Sequence, residues 1–327
     1  MTTLCLQLKG TDPCLNLASE EYLLKNYTSN ILMIWRSQSA VIVGKHQNAL
    51  AEINHQYVRQ NSICVARRLS GGGTVFHDEG NLNFTFIKNV DRVDQINYSL
   101  FTGIMIGILK KLELNVSANQ HNALFLENKK ISGSADHVHK LRVMHHGTLL
   151  FDSRLDRLKA ALKTDLSKFE GKAIQSNRSE VTNIADHLSA KMEIEEFEKF
   201  IFDQICRIYP DCQVAELTPE DLNTIEKLKS EKYVQWNWTY GYSPKYKYHN
   251  RINAADKELS FTLPVEKGKI TEPTFEGDIS QGLALDLIAT LKGRNHDYDV
   301  LKPLLISMEP RLSHEGFPAA QLLDKII

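Results

Sequence analysis

Arg67-Arg68-Leu69-Ser70-Gly71-Gly72-Gly73-Thr74-Val75-Phe76-His77-Asp78 sets a glycine triplet between an arginine pair and a His-Asp pair. Consecutive glycines cost backbone entropy, so they mark places where the chain takes unusual dihedrals or approaches a ligand closely. Exposed N–H groups in such a loop form a nest for phosphate or carboxylate, and guanidinium adds fixed charge with paired donors. A tight turn with a solvated basic shoulder is the plainer alternative. The flanks place the loop: Ile63-Cys64-Val65-Ala66 is a short apolar run, and Leu82-Asn83-Phe84-Thr85-Phe86-Ile87 alternates apolar and polar. Both read as strands, so the loop runs strand to strand. A nucleotide P-loop needs a Lys-Ser/Thr step opening a helix, and a dinucleotide fingerprint needs spaced glycines at a strand-to-helix turn. Neither is present.

The rest of the chain bounds the setting. Its 327 residues, 42% hydrophobic, suffice for one large or two unequal domains. With 39 basic against 40 acidic residues the formal net charge is −1, which gives no general drive toward nucleic acid or an anionic membrane. Lys245, Lys247 and Arg251 interleave with Tyr242, Tyr246 and Tyr248, a pattern that fits a half-buried strand with a charged outer face better than a single-strand-binding surface. Residues 1–10 lack the features of a signal or transit peptide, and no apolar run reaches membrane-spanning length. Cys5, Cys14, Cys64, Cys206 and Cys212 are scattered without metal spacing, which predicts reduced thiols and a cytoplasmic enzyme.

Periodicity predicts helices near 15–26, 51–60 and 93–112, with strands near 31–35, 41–44, 123–126, 131–135 and 142–151. From 153 to 233 the pattern is helical, with 194–209 strongly amphipathic and Thr218-Pro219-Glu220-Asp221 a helix start. The aromatic, turn-rich stretch 236–244 is a candidate junction. Beyond it, strands near 259–263 and 269–275 and helices near 282–291 and 298–306 form a small α/β module. No internal repeat is present.

Two further stretches are dense in polar groups: Lys129-Lys130-Ile131-Ser132-Gly133-Ser134-Ala135 and His145-His146-Gly147-Thr148. A lysine at a turn before Ser-Gly-Ser suits the stabilisation of a developing oxyanion or phosphate, as in acyl transfer; a solvated hairpin tip is the alternative. Neighbouring strand residues face opposite ways, so at most one of Lys129 and Lys130 faces a site. His137, His139, His145 and His146 invite a metal reading, but no cysteine accompanies them and the adjacent pair points apart, so polar or core roles are preferred. No cysteine lies between Cys64 and Cys206, and Ser70, Ser132 and Ser134 lack nucleophile-elbow spacing.

Taken in order, Arg-Arg-x-Ser-Gly-Gly-Gly-x-Val-Phe-His-Asp, Gly80-Asn81, Lys130-x-Ser132-Gly133-Ser134-Ala135 and His145-His146-Gly147-Thr148-Leu149-Leu150 resemble the lipoate-protein ligase family over nearly the whole chain. The resemblance implies an α/β fold of the α+β type shared with biotin-protein ligases. A mixed sheet with flanking helices would form a catalytic domain over 1–245, and a small α/β accessory domain would span 246–327. It implies activation of lipoate with MgATP to lipoyl-adenylate, then transfer to a lysine of a lipoyl-domain acceptor, an E2 subunit or the glycine-cleavage H protein. Positions matching the family's ATP or adenylate site are Arg68, Gly72, Gly73, Thr74, Val75, Phe76, His77, Asp78, Asn122 and Lys130. Those matching its lipoate site are Arg68, Lys130, Ser134, His146 and Gly147. Lys130 would be the catalytic cation, and magnesium would be carried by the phosphates rather than by protein ligands alone.

One position departs from the pattern. The family usually carries Asn-Asp before the Lys-x-Ser-Gly motif, and here the pair is Asn122-Ala123. Loss of that carboxylate bears on magnesium and nucleotide handling. It keeps open a transferase that uses preformed lipoyl-adenylate or another acyl donor. The octanoyltransferase relatives use a cysteine before the His-Gly pair, where this chain has Val143-Met144-His145. A silent lipoyl-domain-binding protein would tolerate loss of the lysine and glycine motifs, and both are retained.

Overall fold

A computed structural model describes residues 2–209, 211–254 and 256–327. The chain opens with strand β1 (Thr3–Leu8), helix α1 (Pro13–Asn26) and strands β2 (Asn30–Arg36) and β3 (Ala40–Val43). Short helices α2 (Ala49–Glu52) and α3 (His55–Gln60) precede β4 (Cys64–Arg67), β5 (Val75–His77), β6 (Asn81–Asn89) and α4 (Ser99–Lys110). Next come β7 (Ser117–Ala118), β8 (Leu124–Leu126), β9 (Lys129–Ser132), β10 (Ser134–His139), β11 (Arg142–Leu150), α5 (Leu155–Ala161) and β12 (Phe169–Gly171). Helix α6 (Ile194–Ile208), β13 (Cys212–Ala215) and α7 (Pro219–Leu228) follow. The chain ends with β14 (Tyr246–Ala254), β15 (Lys257–Glu266), β16 (Lys269–Ile270), β17 (Thr274–Gly277), α8 (Gln281–Leu291), α9 (Tyr298–Ser307), α10 (Glu309–His314) and α11 (Ala319–Ile326).

These elements divide into two compact units. The first takes in Met1–Lys45, Ile63–Ala160 and Ser176–Gln235; the second takes in His46–Ser62, Ala161–Gln175 and Trp236–Ile327. In the first, a six-stranded sheet runs β10-β11-β6-β2-β1-β13, antiparallel across β10, β11, β6 and β2 and parallel across β2, β1 and β13. One face is apolar: Leu82, Phe84 and Phe86 of β6 pack with Phe101, Met105 and Ile108 of α4 and Phe197 and Ile201 of α6. Each such side chain contributes about 1.5–3 kcal/mol by leaving water. The period of two sends Thr85 to the opposite face, where it meets α1. Separate three-stranded sheets, β4-β3-β5 and β7-β8-β9, carry the glycine loop and the Lys-Ser-Gly turn.

The second unit is a five-stranded antiparallel sheet with β14 and β15 at its centre. In β14, Tyr246, Tyr248 and Ile252 are buried against Leu283, Leu287, Leu301 and Leu322, while Lys247 and Arg251 are exposed. This is the half-buried strand with a charged outer face that the sequence predicts.

Several boundaries differ from the periodicity. The helix expected over 51–60 breaks at Ile53, because the Asn54 side chain accepts from Tyr57 N and starts α3. The helix expected from 93 becomes a single 3-10 turn, Val93–Gln95, before α4, with Asn97 Oδ1 accepting from Ser99 N. The region 153–233 is less helical than expected: residues 172–180 carry no regular structure, and β12 and β13 interrupt it. The strand expected over 269–275 is split into β16 and β17. The cysteines also depart from expectation. Cys5 and Cys212 are joined by a disulfide, with Cys206 beside them. Among the described residues no helix is long and apolar enough to cross a membrane.

Candidate active site

The glycine loop is shaped from inside by Arg68. The residue is 5% exposed, and its Nη2 donates to Gly71 O at 2.5 Å and Gly73 O at 2.7 Å. Nη1 donates to Ile42 O at 3.1 Å, and the backbone N of Arg68 donates to Val43 O. A trans peptide points its C=O and N–H in opposite directions. With the Gly71 and Gly73 carbonyls turned toward the guanidinium, the N–H groups of Gly72 and Thr74 are turned away from it. Thr74 N donates to Ser176 Oγ at 2.8 Å. Gly72 has φ +81°, and a Cβ there would lie 3.2 Å from Arg68 Nη2, so both conformation and space select glycine. Burial pushes the Arg68 guanidinium down to about 10, with Glu20 opposing.

Lys130 approaches the loop from β9. Its backbone is clasped on both sides, with Lys130 N donating to Glu180 O at 2.8 Å and Thr182 N to Lys130 O at 3.2 Å. The clasp orients the side chains: Lys129 is exposed and pairs with Glu180 at 3.6 Å, whereas Lys130 is half-buried. A Cβ built on Gly133 would lie 3.4 Å from Lys130 Nζ and 4.0 Å from Val75 Cγ1, and one on Gly72 would lie 3.7 Å from Ala135 Cβ. The loop and the Lys-Ser-Gly-Ser turn therefore face each other across a few ångströms. Burial and the nearby Arg68 charge hold the Lys130 ammonium below the usual lysine range. Among the described residues it joins no ion pair.

The His-His-Gly strand supplies the floor. Thr148 N donates to Gly133 O at 3.0 Å, and Gly133 N to Thr148 Oγ1 at 3.2 Å. A Cβ on Gly147 would fall 2.5 Å from Phe84 Cζ and 3.0 Å from Gly133 O, so only glycine permits that approach. His145 and His146 do point apart. His145 lies on the apolar face, stacked on Phe101 at 5.1 Å, with Nδ1 2.6 Å from Asp136 Oδ1. His146 lies on the α1 face, with Nδ1 2.8 Å from Glu20 Oε1 and Nε2 2.6 Å from Ser70 Oγ. The carboxylate fixes the tautomer: Nδ1–H donates to Glu20, leaving Nε2 to accept from the Ser70 hydroxyl, while Ser70 Oγ accepts from Arg68 Nε at 2.9 Å. Glu20 Oε1 also accepts from Thr85 Oγ1 at 2.6 Å, and Thr85 from Trp35 Nε1 at 3.3 Å. A buried chain of hydrogen bonds thus runs from Arg68 through Ser70 and His146 to Glu20.

The remaining predicted positions lie around this junction and behind it. Phe76 is buried in β5, and Val75 is half-buried beside the Lys-Ser-Gly turn. His77 is 3% exposed, lies edge-on to Trp35 at 5.5 Å, and is held down to about 3 by burial, Arg68 and His146. Asp78 is spent on structure, accepting from Gly80 N at 3.1 Å and Arg154 N at 2.7 Å. Asn122 has φ +59°, and its carbonyl accepts from Ser134 Oγ at 3.1 Å. Ala123 is buried, its N held by Asn119 Oδ1 at 3.1 Å. Sequence reasoning missed Glu20 and Ser176. The adjacent glutamates Glu20 and Glu21 in the middle of α1 were the available signal for the first; the second had none.

This chain is similar to known proteins. The sequence profile of the lipoyl protein ligase A/B catalytic domain matches residues 12–206. The Bacillus subtilis lipoate-protein ligase LplJ is 38% identical over 299 residues, 90% of each chain. Among solved structures, Plasmodium falciparum LipL1 in complex with lipoate is 24% identical with a TM-score of 0.61, covering 93% of this chain and 94% of that one. A lipoate-protein ligase A bound with ATP is 24% identical with a TM-score of 0.63, covering 74% of this chain and all of that one.

Proposed function

This chain belongs to the lipoate-protein ligase family, and from that premise we propose that the Lys130 ammonium, facing the glycine loop, activates lipoate with ATP and then delivers the lipoyl group to an acceptor lysine. The observation that carries the reading is the placement of Lys130 Nζ against Gly133, a glycine that Val75 at the end of the loop also borders. A carboxylate held there sits beside a cation whose environment strengthens its field, because burial removes competing water. As carboxylate oxygen attacks the α-phosphorus, pyrophosphate leaves, and charge gathers on phosphate oxygens within reach of the ammonium and of the outward-turned Gly72 N–H. In the second step the same cation polarises the anhydride carbonyl for an incoming lysine amine, which releases AMP and needs no covalent enzyme intermediate. Arg68 contributes its charge and holds the loop in register.

Magnesium fits as an ion brought by the nucleotide. Asp78 is occupied by two backbone donors and Asp136 faces His145, so the polar groups here are hydrogen-bond partners rather than a carboxylate cage. When bound to phosphate oxygens the ion neutralises their charge. The acceptor is a lipoyl domain of an E2 subunit or an H protein, and the reaction belongs in the cytoplasm, where ATP is supplied.

The test is lipoate-dependent exchange of labelled pyrophosphate into ATP. Exchange is expected, and Lys130→Ala should abolish it with the fold retained. Ala123 favours one second reading, a transferase that begins from lipoyl-adenylate, since no carboxylate stands at that buried turn. No exchange combined with normal transfer from synthetic lipoyl-adenylate would select it.

A further inference from the structure

Away from this site, three of the five cysteines come together. Cys5 lies at the centre of β1 and is fully buried; Cys212 opens β13, which pairs parallel to β1 with Thr3 opposite Cys212 and Cys5 opposite Val214. Cys206 sits in the last turn of α6, just before the connection into β13. The three sulfurs lie within 4.8 Å of one another, and Cys206 and Cys212 are half-buried. In this structure Cys5 and Cys212 are disulfide-bonded and Cys206 is a free thiol. Their arrangement results from the fold, since the helix–strand connection carries two of them back to the strand that holds the third.

The backbone suits more than one state of these sulfurs. The Cα–Cα distance of Cys5 and Cys212 is 6.3 Å. Zinc–thiolate bonds of about 2.3 Å with tetrahedral angles put neighbouring sulfurs about 3.8 Å apart. Side-chain rotation can open a disulfide to that separation without moving the strands. Three thiolates with no carboxylate or imidazole in the group among the described residues form a soft ligand set, which selects zinc or another d10 cation over magnesium or calcium. The half-buried side of Cys206 and Cys212 leaves room for water in a fourth position.

We propose that Cys5, Cys206 and Cys212 form a redox-gated site for a soft d10 cation, closed as the Cys5–Cys212 disulfide and opened as a three-thiolate zinc site. A dithiol reductant supplies two electrons and two protons, leaving as a cyclic disulfide while the Cys5–Cys212 bond becomes two thiols. Zinc then displaces three protons, giving a three-thiolate unit of net charge −1. The disulfide fastens the edge strand β13 to β1, and the three-thiolate site would fasten β13 and the end of α6 to β1 together, so the site exchanges one cross-link for another.

The full-length chain, reduced with a phosphine under argon and freed of reductant, is titrated with Co²⁺ and then Zn²⁺. One equivalent of cobalt should bind with a thiolate-to-metal charge-transfer band that zinc abolishes. Untreated disulfide protein should give none. Cys206→Ser, which leaves the disulfide intact, should weaken zinc binding at least about a hundredfold, since even outer-shell changes cost tenfold to a hundredfold; Cys64→Ser should leave it unchanged. Absence of the band in the reduced chain, wild-type zinc affinity in folded Cys206→Ser, or equal loss in Cys64→Ser would each overturn the proposal.

Discussion

The glycine loop and the lysine turn face each other but are built on opposite plans. The loop's polar groups are largely committed inside the protein: Gly71 O and Gly73 O to Arg68, Thr74 N to Ser176 and Ser70 to His146. At the lysine turn the backbone is committed instead, to Glu180 and Thr182, while the Lys130 ammonium joins no ion pair among the described residues. One side is a rigid frame, and the other presents a charge held in reserve. Preorganised dipoles cost nothing at the moment of reaction, and a half-buried cation gains most from an arriving anion. The comparison predicts that loop substitutions act through stability and geometry, and that substitution of the lysine acts on the chemistry.

The largest effect tests the second half of that statement. Lys130→Ala should lower adenylate formation by about 10²–10³ or more, the range seen when a donor to a developing oxyanion is removed. Its melting temperature should stay near wild type, and exposed Lys129→Ala should change the rate less than about twofold. Equal losses in the two variants would erase the distinction between the lysines. The pH dependence sharpens it. With its ionisation held below the usual lysine range, the cation is lost at lower pH than an ordinary lysine's, so kcat/KM should fall on the alkaline side earlier than an ordinary lysine would allow. Lys130→Arg should move that fall to higher pH, since guanidinium keeps its proton.

Next in size is Glu20→Ala, which removes the acceptor at the end of the buried chain. It leaves His146 Nδ1–H and the Thr85 hydroxyl without their shared partner, at a cost of about 1–3 kcal/mol. Chemical denaturation measures the loss. The effect on catalysis should appear in KM for lipoate and ATP, because the disturbance travels through Ser70 to Arg68 and the loop. A fall in kcat with unchanged KM and stability would place Glu20 among the reacting groups instead. Gly72→Ala should cost roughly 1–3 kcal/mol through its left-handed backbone, and the contact with Arg68 Nη2 would push the loop outward.

How much of this was legible follows the same division. The strand-to-strand setting of the loop, the opposite faces of His145 and His146, and the amphipathic α6 came from periods of two and 3.6, which are local properties. The α1 face of the site came from long-range packing. Nothing near Arg68 in the sequence announces that its guanidinium turns toward Gly71 and Gly73, nor that Glu20 closes the chain from another element. The broken helices at Ile53 and Ile96 have a local cause that periodicity overrides: Asn54 and Asn97 accept from backbone N–H groups and favour helix starts over helix interiors. Ser176 lies in an irregular stretch whose polar residues were read as part of a helical region, and only tertiary structure gives it a partner.

Ser176→Ala is the smallest of these tests and bears most directly on the frame. The serine oxygen accepts from Thr74 N at 2.8 Å, and a Cβ on Gly73 would lie 3.3 Å from Ser176 Cα, so this segment lies directly against the loop. Removing the hydroxyl keeps the backbone contact and deletes one acceptor, an expected loss of about 0.5–1.5 kcal/mol. If the loop is a frame held by several independent bonds, Arg68 still fixes Gly71 and Gly73, and adenylate formation should fall no more than about threefold while hydrogen exchange at the Thr74 amide accelerates. If the loop is instead poised between arrangements that ligand selects, the same deletion should shift KM for ATP by tenfold or more with little change in global stability. Measured together, the exchange rate and the KM decide between a rigid nest and an adjustable one, and only the rigid nest is consistent with the contrast drawn between the two sides.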